Sequence, residues 1–143
     1  MAESKAVFLD SNFLIALYNS DDTLHQRASE LSSRVMDGSQ RLVMSNYIWL
    51  EVVTVLSQRS GRATANAVGN NILSAGQISI IHIGDAMHND SWEIFQNIDK
   101  KNVSFVDCST LALLRHRGIE SLLTFDTTDF GPLRQTYNFT IFG

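Results

Sequence analysis

The sequence predicts an α/β fold: one mostly parallel sheet with helices on both faces. Two observations carry that expectation. Short apolar runs alternate with longer amphipathic patterns from one end of the chain to the other. Helical stretches of roughly ten to twenty residues also separate the strands, which implies right-handed crossovers and parallel pairing. No repeat, low-complexity stretch or linker interrupts the pattern, so residues 1–143 are expected to form a single domain.

In order along the chain, AVFLD (6–10) reads as a buried strand and Ser11–Tyr18 as a helix. Asp21-Asp22 open a second helix running to about Met36, Asp37-Gly38-Ser39 is a turn, and RLVMS (41–45) is the next strand. Asn46 is a good N-cap for a helix with apolar residues at Ile48, Trp49, Val52, Val53 and Leu56. Gly61 interrupts it, and a further helix runs from Arg62 to Ser74, closed by Gly76. ISIIHI (78–83) is a strand, followed after Gly84 by a helix to about Asp99 with Asp85 as its cap. VSFVD (103–107) reads as a short extended lead-in to a helix ending at Arg117-Gly118. SLLTFD (121–126) is a buried strand and YNFTIF (137–142) a final edge strand.

Composition excludes several classes. The chain is 44% hydrophobic and 18% charged, with one proline and eight glycines, an ordinary globular balance rather than a disordered one. No apolar run approaches the roughly 18 residues that span a bilayer, and the N-terminus lacks a signal-peptide pattern. The single cysteine, Cys108, cannot form an internal disulfide, which fits a cytoplasmic protein without membrane contact. Fifteen acids against eleven bases give a net charge of −4, which argues against non-specific gripping of nucleic acid. The bases are spread along the chain, so any basic patch must be assembled by folding.

The acids are placed with a pattern. Asp10, Asp107 and Asp126 each end an apolar run, and ligands of open α/β sheets bind at the carboxyl ends of strands. Glu51 lies in IWLEVVTVL (48–56), where Thr54 is the only other polar residue. A helix apolar nearly all round is buried, and a buried carboxylate needs a compensating cation. No lysine or arginine stands three or four residues from Glu51, so a metal is a natural candidate. Each acid has a structural reading as well: Asp10 and Asp107 as N-caps, Glu51 paired with a distant arginine, Asp126 in a turn of the D-T-T-D segment. The coincidence of all four favours a site.

Oxygen-only clusters select hard divalent cations such as Mg²⁺ or Mn²⁺, and such sites hydrolyse phosphate esters. No competing nucleophile presents itself. Cys108 sits beside an acid that would raise its pKa, and His25, His82, His88 and His116 have no zinc-like spacing.

The blocks VFLDSN (7–12), EVVTVL (51–56), FVDCSTLALLRHRGI (105–119) and LLTFDTTDF (122–130) resemble the PIN domain, particularly its VapC-type ribonucleases, the toxins of type II toxin–antitoxin pairs. The resemblance implies a PIN-like three-layer α/β/α sandwich in which Asp10, Glu51, Asp107 and Asp126 hold Mg²⁺ or Mn²⁺. Ser11, Asn12, Ser109 and Thr124 match supporting polar positions. Asp129 stands near the fourth acid, as a supporting residue, a cap for the following turn, or a sharer of its role. The family further implies RNA cleavage, homodimerisation and an antitoxin partner; a solitary PIN nuclease of RNA processing or turnover and a non-catalytic PIN-like module are alternatives. A phosphoryl-transfer protein of the haloacid-dehalogenase or response-regulator type fits less well. The former needs an acid where Asn12 stands, and both need a late lysine, whereas the lysines are Lys5, Lys100 and Lys101. Trp49, Trp92, Phe95 and Phe105 are read as core or dimer-interface residues rather than base-stacking platforms.

Overall fold

The computed structural model describes residues 5–142. Five strands, β1 (Ala6–Leu9), β2 (Arg41–Ser45), β3 (Ile78–Ile81), β4 (Ser121–Leu123) and β5 (Thr140–Ile141), form one sheet in the order β3-β2-β1-β4-β5. Every pairing is parallel, with Phe8 opposite Val43 on one side and Leu122 on the other. The expected α/β/α sandwich is therefore present, with its sheet wholly parallel and the last strand at an edge, as expected.

The helices are α1 (Ser11–Tyr18), α2 (His25–Asp37), α3 (Asn46–Ser60), α4 (Arg62–Ala75), α5 (Asp85–Asn97), α6 (Phe105–Arg117), and the short α7 (Thr127–Phe130) and α8 (Arg134–Tyr137). The most extensive packing joins α5 to α6, α3 to α4 and α1 to α2. The core centres on Phe8, Leu9, Leu14, Met44, Ile48, Leu111 and Leu122, all fully buried. At the α3–α4 contact Gly69 lets the backbone approach Trp49, whose indole N–H donates to the Gly69 carbonyl at 3.3 Å. Trp49 is thus structural, as read.

Several boundaries differ from the sequence reading, each for a local reason. The second helix starts at His25 because Asn19 and Asp22 accept bonds from Asp21 N and Leu24 N, turns that compete with helix. Ser45, not Asn46, caps α3, its hydroxyl accepting from Ile48 N at 3.0 Å, while Asn46 accepts from Ile83 N and ties α3 to the chain beyond β3. Gly84 holds the N-cap position of α5 and Asp85 is its first residue, with no side-chain capping bond. His82 lies past the end of β3 and is exposed.

The extended lead-in expected at VSFVD is present but shorter than the run, because Ser104 is extended and the helix already begins at Phe105. Ser104 accepts from Asp107 N and Asp107 accepts from Ser104 N, a reciprocal capping box that starts α6 at Phe105. The helix buried on every side is also α6 rather than α3: Cys108 to Leu114 are buried without interruption, whereas Leu50 on α3 is 60% exposed. Small polar residues in α6 disguised its burial, and a leucine on the solvent face of α3 inflated that helix's apparent burial.

Candidate active site

The sheet order places a topological switch point at β1. The chain runs from β1 through β2 to β3 on one side and then crosses to β4 on the other. Such crevices, at the carboxyl ends of neighbouring strands, are where α/β sheets bind ligands. Asp10 follows β1 there. Its N–H donates to the Leu123 carbonyl at 3.0 Å, extending the ladder between β1 and β4, and its side chain caps α1 by accepting from Ser11 N at 2.8 Å. Asp10 is 3% exposed.

Thr124, just past β4, is the junction of the site. Its hydroxyl donates to the second oxygen of Asp10 at 2.7 Å and accepts from Asp126 N at 3.0 Å. Asn12 approaches the same hydroxyl through its amide nitrogen at 3.3 Å and accepts from Phe125 N at 3.1 Å. Three of the sequence-predicted supporting residues are therefore assembled here: Ser11 through its backbone, Asn12 and Thr124 through side chains. Ser109 is buried, but its hydroxyl donates to the Val106 carbonyl within its own helix.

The other acids approach from helices. Asp107 is in the first turn of α6, held by the capping box, and not at a strand end. Asp126 lies three residues beyond β4 as the N-cap of α7, its carboxylate accepting from Asp129 N at 3.1 Å. The cap of that turn is Asp126 rather than Asp129. Glu51 is half-buried on α3, so full burial does not hold for it.

The carboxylates act on one another electrostatically. Burial raises Asp10 to about 7; the Thr124 and Ser11 bonds oppose this, and the charges of Asp107 and Glu51 add to it. Burial likewise raises Asp107 against its two bonds from Ser104, with Glu51 and Asp126 contributing repulsion. Asp129 is raised by desolvation and by Asp126, and lowered by nearby Lys100. Asp10 thus interacts with Asp107 and Glu51, and Asp107 with Glu51 and Asp126: the four sequence-predicted acids form one electrostatic cluster. Among the described residues the only ion pair is Asp90–His116, so no lysine or arginine neutralises it.

Oxygen donors under mutual repulsion suit a hard divalent cation. No three His, Cys, Asp or Glu side chains among the described residues close on a common point, and Asp107 and Asp126 each keep one oxygen outside their capping bonds. Cys108 offers no rival nucleophile: burial, then Asp107, pushes its thiol to about 11.

Sequence reasoning missed Ser104 and Lys100. S-F-V-D at 104–107 carries the capping-box spacing and would have found the first. Nothing in the sequence places Lys100 beside Asp129.

A five-stranded parallel sheet with an uncompensated acid cluster at its switch point defines an α/β protein with a candidate cation site. The PIN domain family profile matches residues 7–131. The 23S rRNA-specific endonuclease VapC20 of Mycobacterium tuberculosis, in strains CDC 1551 and H37Rv, is 31% identical over 121 residues, 84% of this chain and 88% of its own length. The crystal structure of VapC20, described as a Sarcin-Ricin loop cleaving toxin, superposes with a TM-score of 0.77 at 28% identity, covering 88% of this chain and 93% of that one. A toxin–antitoxin complex from Klebsiella pneumoniae shares the fold, with a TM-score of 0.64 at 18% identity over 96% of each chain. The chain belongs to the PIN domain family, and its relatives there are VapC-type endoribonucleases.

Proposed function

We propose that this protein is an endoribonuclease that hydrolyses RNA phosphodiester bonds with Mg²⁺ or Mn²⁺ held by Asp10, Glu51, Asp107 and Asp126. The observation that carries the reading is Asp10: a buried carboxylate at the switch point, repelled by two neighbouring acids and faced by no protein cation. When bound, a divalent ion there supplies positive charge to the phosphodiester and lowers the pKa of water. The chain's own part is positioning. Thr124 and Ser11 N fix both oxygens of Asp10, and Asn12 pins the loop carrying Phe125 to α1. The capping box fixes the backbone that presents Asp107, and the α7 cap sets Asp126 beside Asp129.

RNA as substrate, and ribosomal RNA as the first RNA to try, are supported by likeness to VapC20. A toxin role rests on the same relative, and an antitoxin partner on the likeness to the Klebsiella pneumoniae toxin–antitoxin complex. Homodimerisation is supported by an unpartnered aromatic face: Trp92 (50% exposed) stacks on Phe95, and both lie against Phe105. The purified protein should cleave RNA with Mg²⁺ or Mn²⁺ and stop on chelation. Cleavage that persists in EDTA would overturn the mechanism.

A further inference from the structure

The acidic protein carries a basic recess that only the fold assembles. At the amino ends of β1, β2 and β4, opposite the edge that bears Asp10, a recess of about 270 Å³ is lined by Lys5, Arg41, Arg117 and Glu120, together with Gly118 and Ser121. The three cations come from distant parts of the sequence. Arg41 N donates to the Lys5 carbonyl at 3.0 Å, in register with the first pairing of β1 and β2. Arg117 ends α6, and Gly118, at φ +62°, turns the chain back toward β4. A side chain with a Cβ is strained in that conformation, so the tight return that sets Arg117 over the amino edge of the sheet calls for glycine.

None of the three cations forms an ion pair among the described residues. Three positive groups against the one carboxylate of Glu120 leave two positive charges in excess, in a chain whose net charge is −4. An adjoining recess of about 180 Å³ shares Gly118, Ile119 and Glu120 and adds Arg115, whose guanidinium lies over the Tyr137 ring. Convergent guanidinium groups bind phosphate through paired donors, and unpaired ones do so at least cost because no internal partner is given up.

We propose that Lys5, Arg41 and Arg117 form a phosphate-binding recess that holds the backbone of a folded RNA substrate at a point remote from the bond being cut. The proposal rests on the ribonuclease reading above. It would give an acidic enzyme a grip on large RNA without placing cations among the catalytic acids. Four-residue strands separate the recess from the acid edge by roughly 13 Å. The path between them runs round the outside of the domain and is longer still, so a folded RNA can bridge it whereas a tetranucleotide centred on the acids does not reach the recess.

The test compares wild type, Arg41→Gln/Arg117→Gln, and an Arg59→Gln/Arg62→Gln control that removes the same charge at the α3–α4 junction. Binding of a folded ribosomal-RNA hairpin is measured in EDTA by anisotropy across a salt series, with thermal melting to confirm folding. Loss of the two recess arginines should weaken hairpin binding about tenfold or more and flatten the log–log salt slope by about 1.4 to 2. The control should stay near wild type, and binding and metal-dependent cleavage of a tetranucleotide should be unchanged. Unaltered hairpin binding, an equal loss in the control, or a parallel loss on the tetranucleotide overturns the proposal. So does binding of inorganic phosphate that depends on Arg41 and Arg117 while hairpin affinity does not, because the recess would then serve a small phosphorylated ligand. Failure of the ribonuclease reading shows separately, as absent metal-dependent cleavage by wild type of either RNA.

Discussion

Asp10 and Asp107 carry the same side chain into the same cluster, yet they are held there in opposite ways. Asp10 is fixed by the tertiary fold: its partner Thr124 lies 114 positions away and its N–H belongs to the junction of β1 with β4. Asp107 is fixed by its own helix, through Ser104 three residues earlier. A carboxylate built into the sheet pays for burial with a raised pKa. One built into a cap is secured by bonds that form with the helix and keeps more contact with solvent. Burial raises both carboxyls, so each costs stability when ionised, but the capping bonds of Asp107 form with its own helix and offset part of that cost.

Asp10→Asn should break this contrast most visibly, with cleavage falling on the order of 10²–10³-fold. The same substitution should stabilise the metal-free protein at alkaline pH. The folded-state pKa of about 7 lies above the unfolded 3.8, so between those values the native state binds more protons and stability falls as pH rises. The full shift corresponds to roughly 4 kcal/mol, present below pH 4 and lost through pH 7. Urea denaturation in EDTA should show this decline in wild type and a much flatter profile in the variant. Equal profiles would show that Asp10 is not the group responsible. Added Mg²⁺ should stabilise wild type most above pH 7, and the variant little.

Thr124→Val comes next, because it removes the contact that ties the two modes together. Its hydroxyl restrains the pKa of Asp10 and receives Asp126 N, so its loss frees the Asp10 carboxylate and the backbone that presents Asp126 at once. Activity should fall about 10- to 100-fold. Stability should drop by about 1–3 kcal/mol, and the acidic limb of the pH–rate profile should move to higher pH. An unshifted limb with reduced activity would separate Thr124 from the titration of Asp10.

These two modes also explain what the sequence could and could not disclose. Asp10 was legible because an apolar strand ending in an acid is a strong pattern, and β1 does end immediately before it. Asp107 was singled out as the end of an extended apolar lead-in, whereas it lies in the first turn of α6, whose start is marked by the S-x-x-D capping box inside that run. Glu51 was singled out by an argument about burial that its half-exposed position does not support, although its charge does act on Asp10 and Asp107. The parallel sheet was readable from alternation alone. The aromatic face around Trp92 and the recess at Arg41 and Arg117 were not, because each joins residues from separate elements that no periodicity connects.

Ser104→Ala tests the local mode. It removes one arm of the capping box and should cost about 1 kcal/mol of stability, read by denaturant midpoint. Because the Ser104 bonds hold the pKa of Asp107 down, that carboxyl should titrate at higher pH in the variant. Cleavage should weaken less than in Thr124→Val, and Ser104→Thr should restore both quantities. A loss as deep as that of Thr124→Val would mean that the cap orients Asp107 as strictly as the fold orients Asp10.

The smallest effect lies one turn further along α6, in a residue of the same helix that serves neither mode. Thr110 is fully buried and its hydroxyl has no hydrogen-bond partner. A helical threonine ordinarily bonds the carbonyl four residues back, but here that carbonyl belongs to Val106 and already accepts from Ser109. Valine fills the same volume without the unsatisfied oxygen. Thr110→Val should therefore raise stability by about 1 kcal/mol and leave cleavage and the titration of Asp107 unchanged. If stability rises while cleavage falls, the interior of α6 transmits position to Asp107, and the local mode extends beyond its capping box.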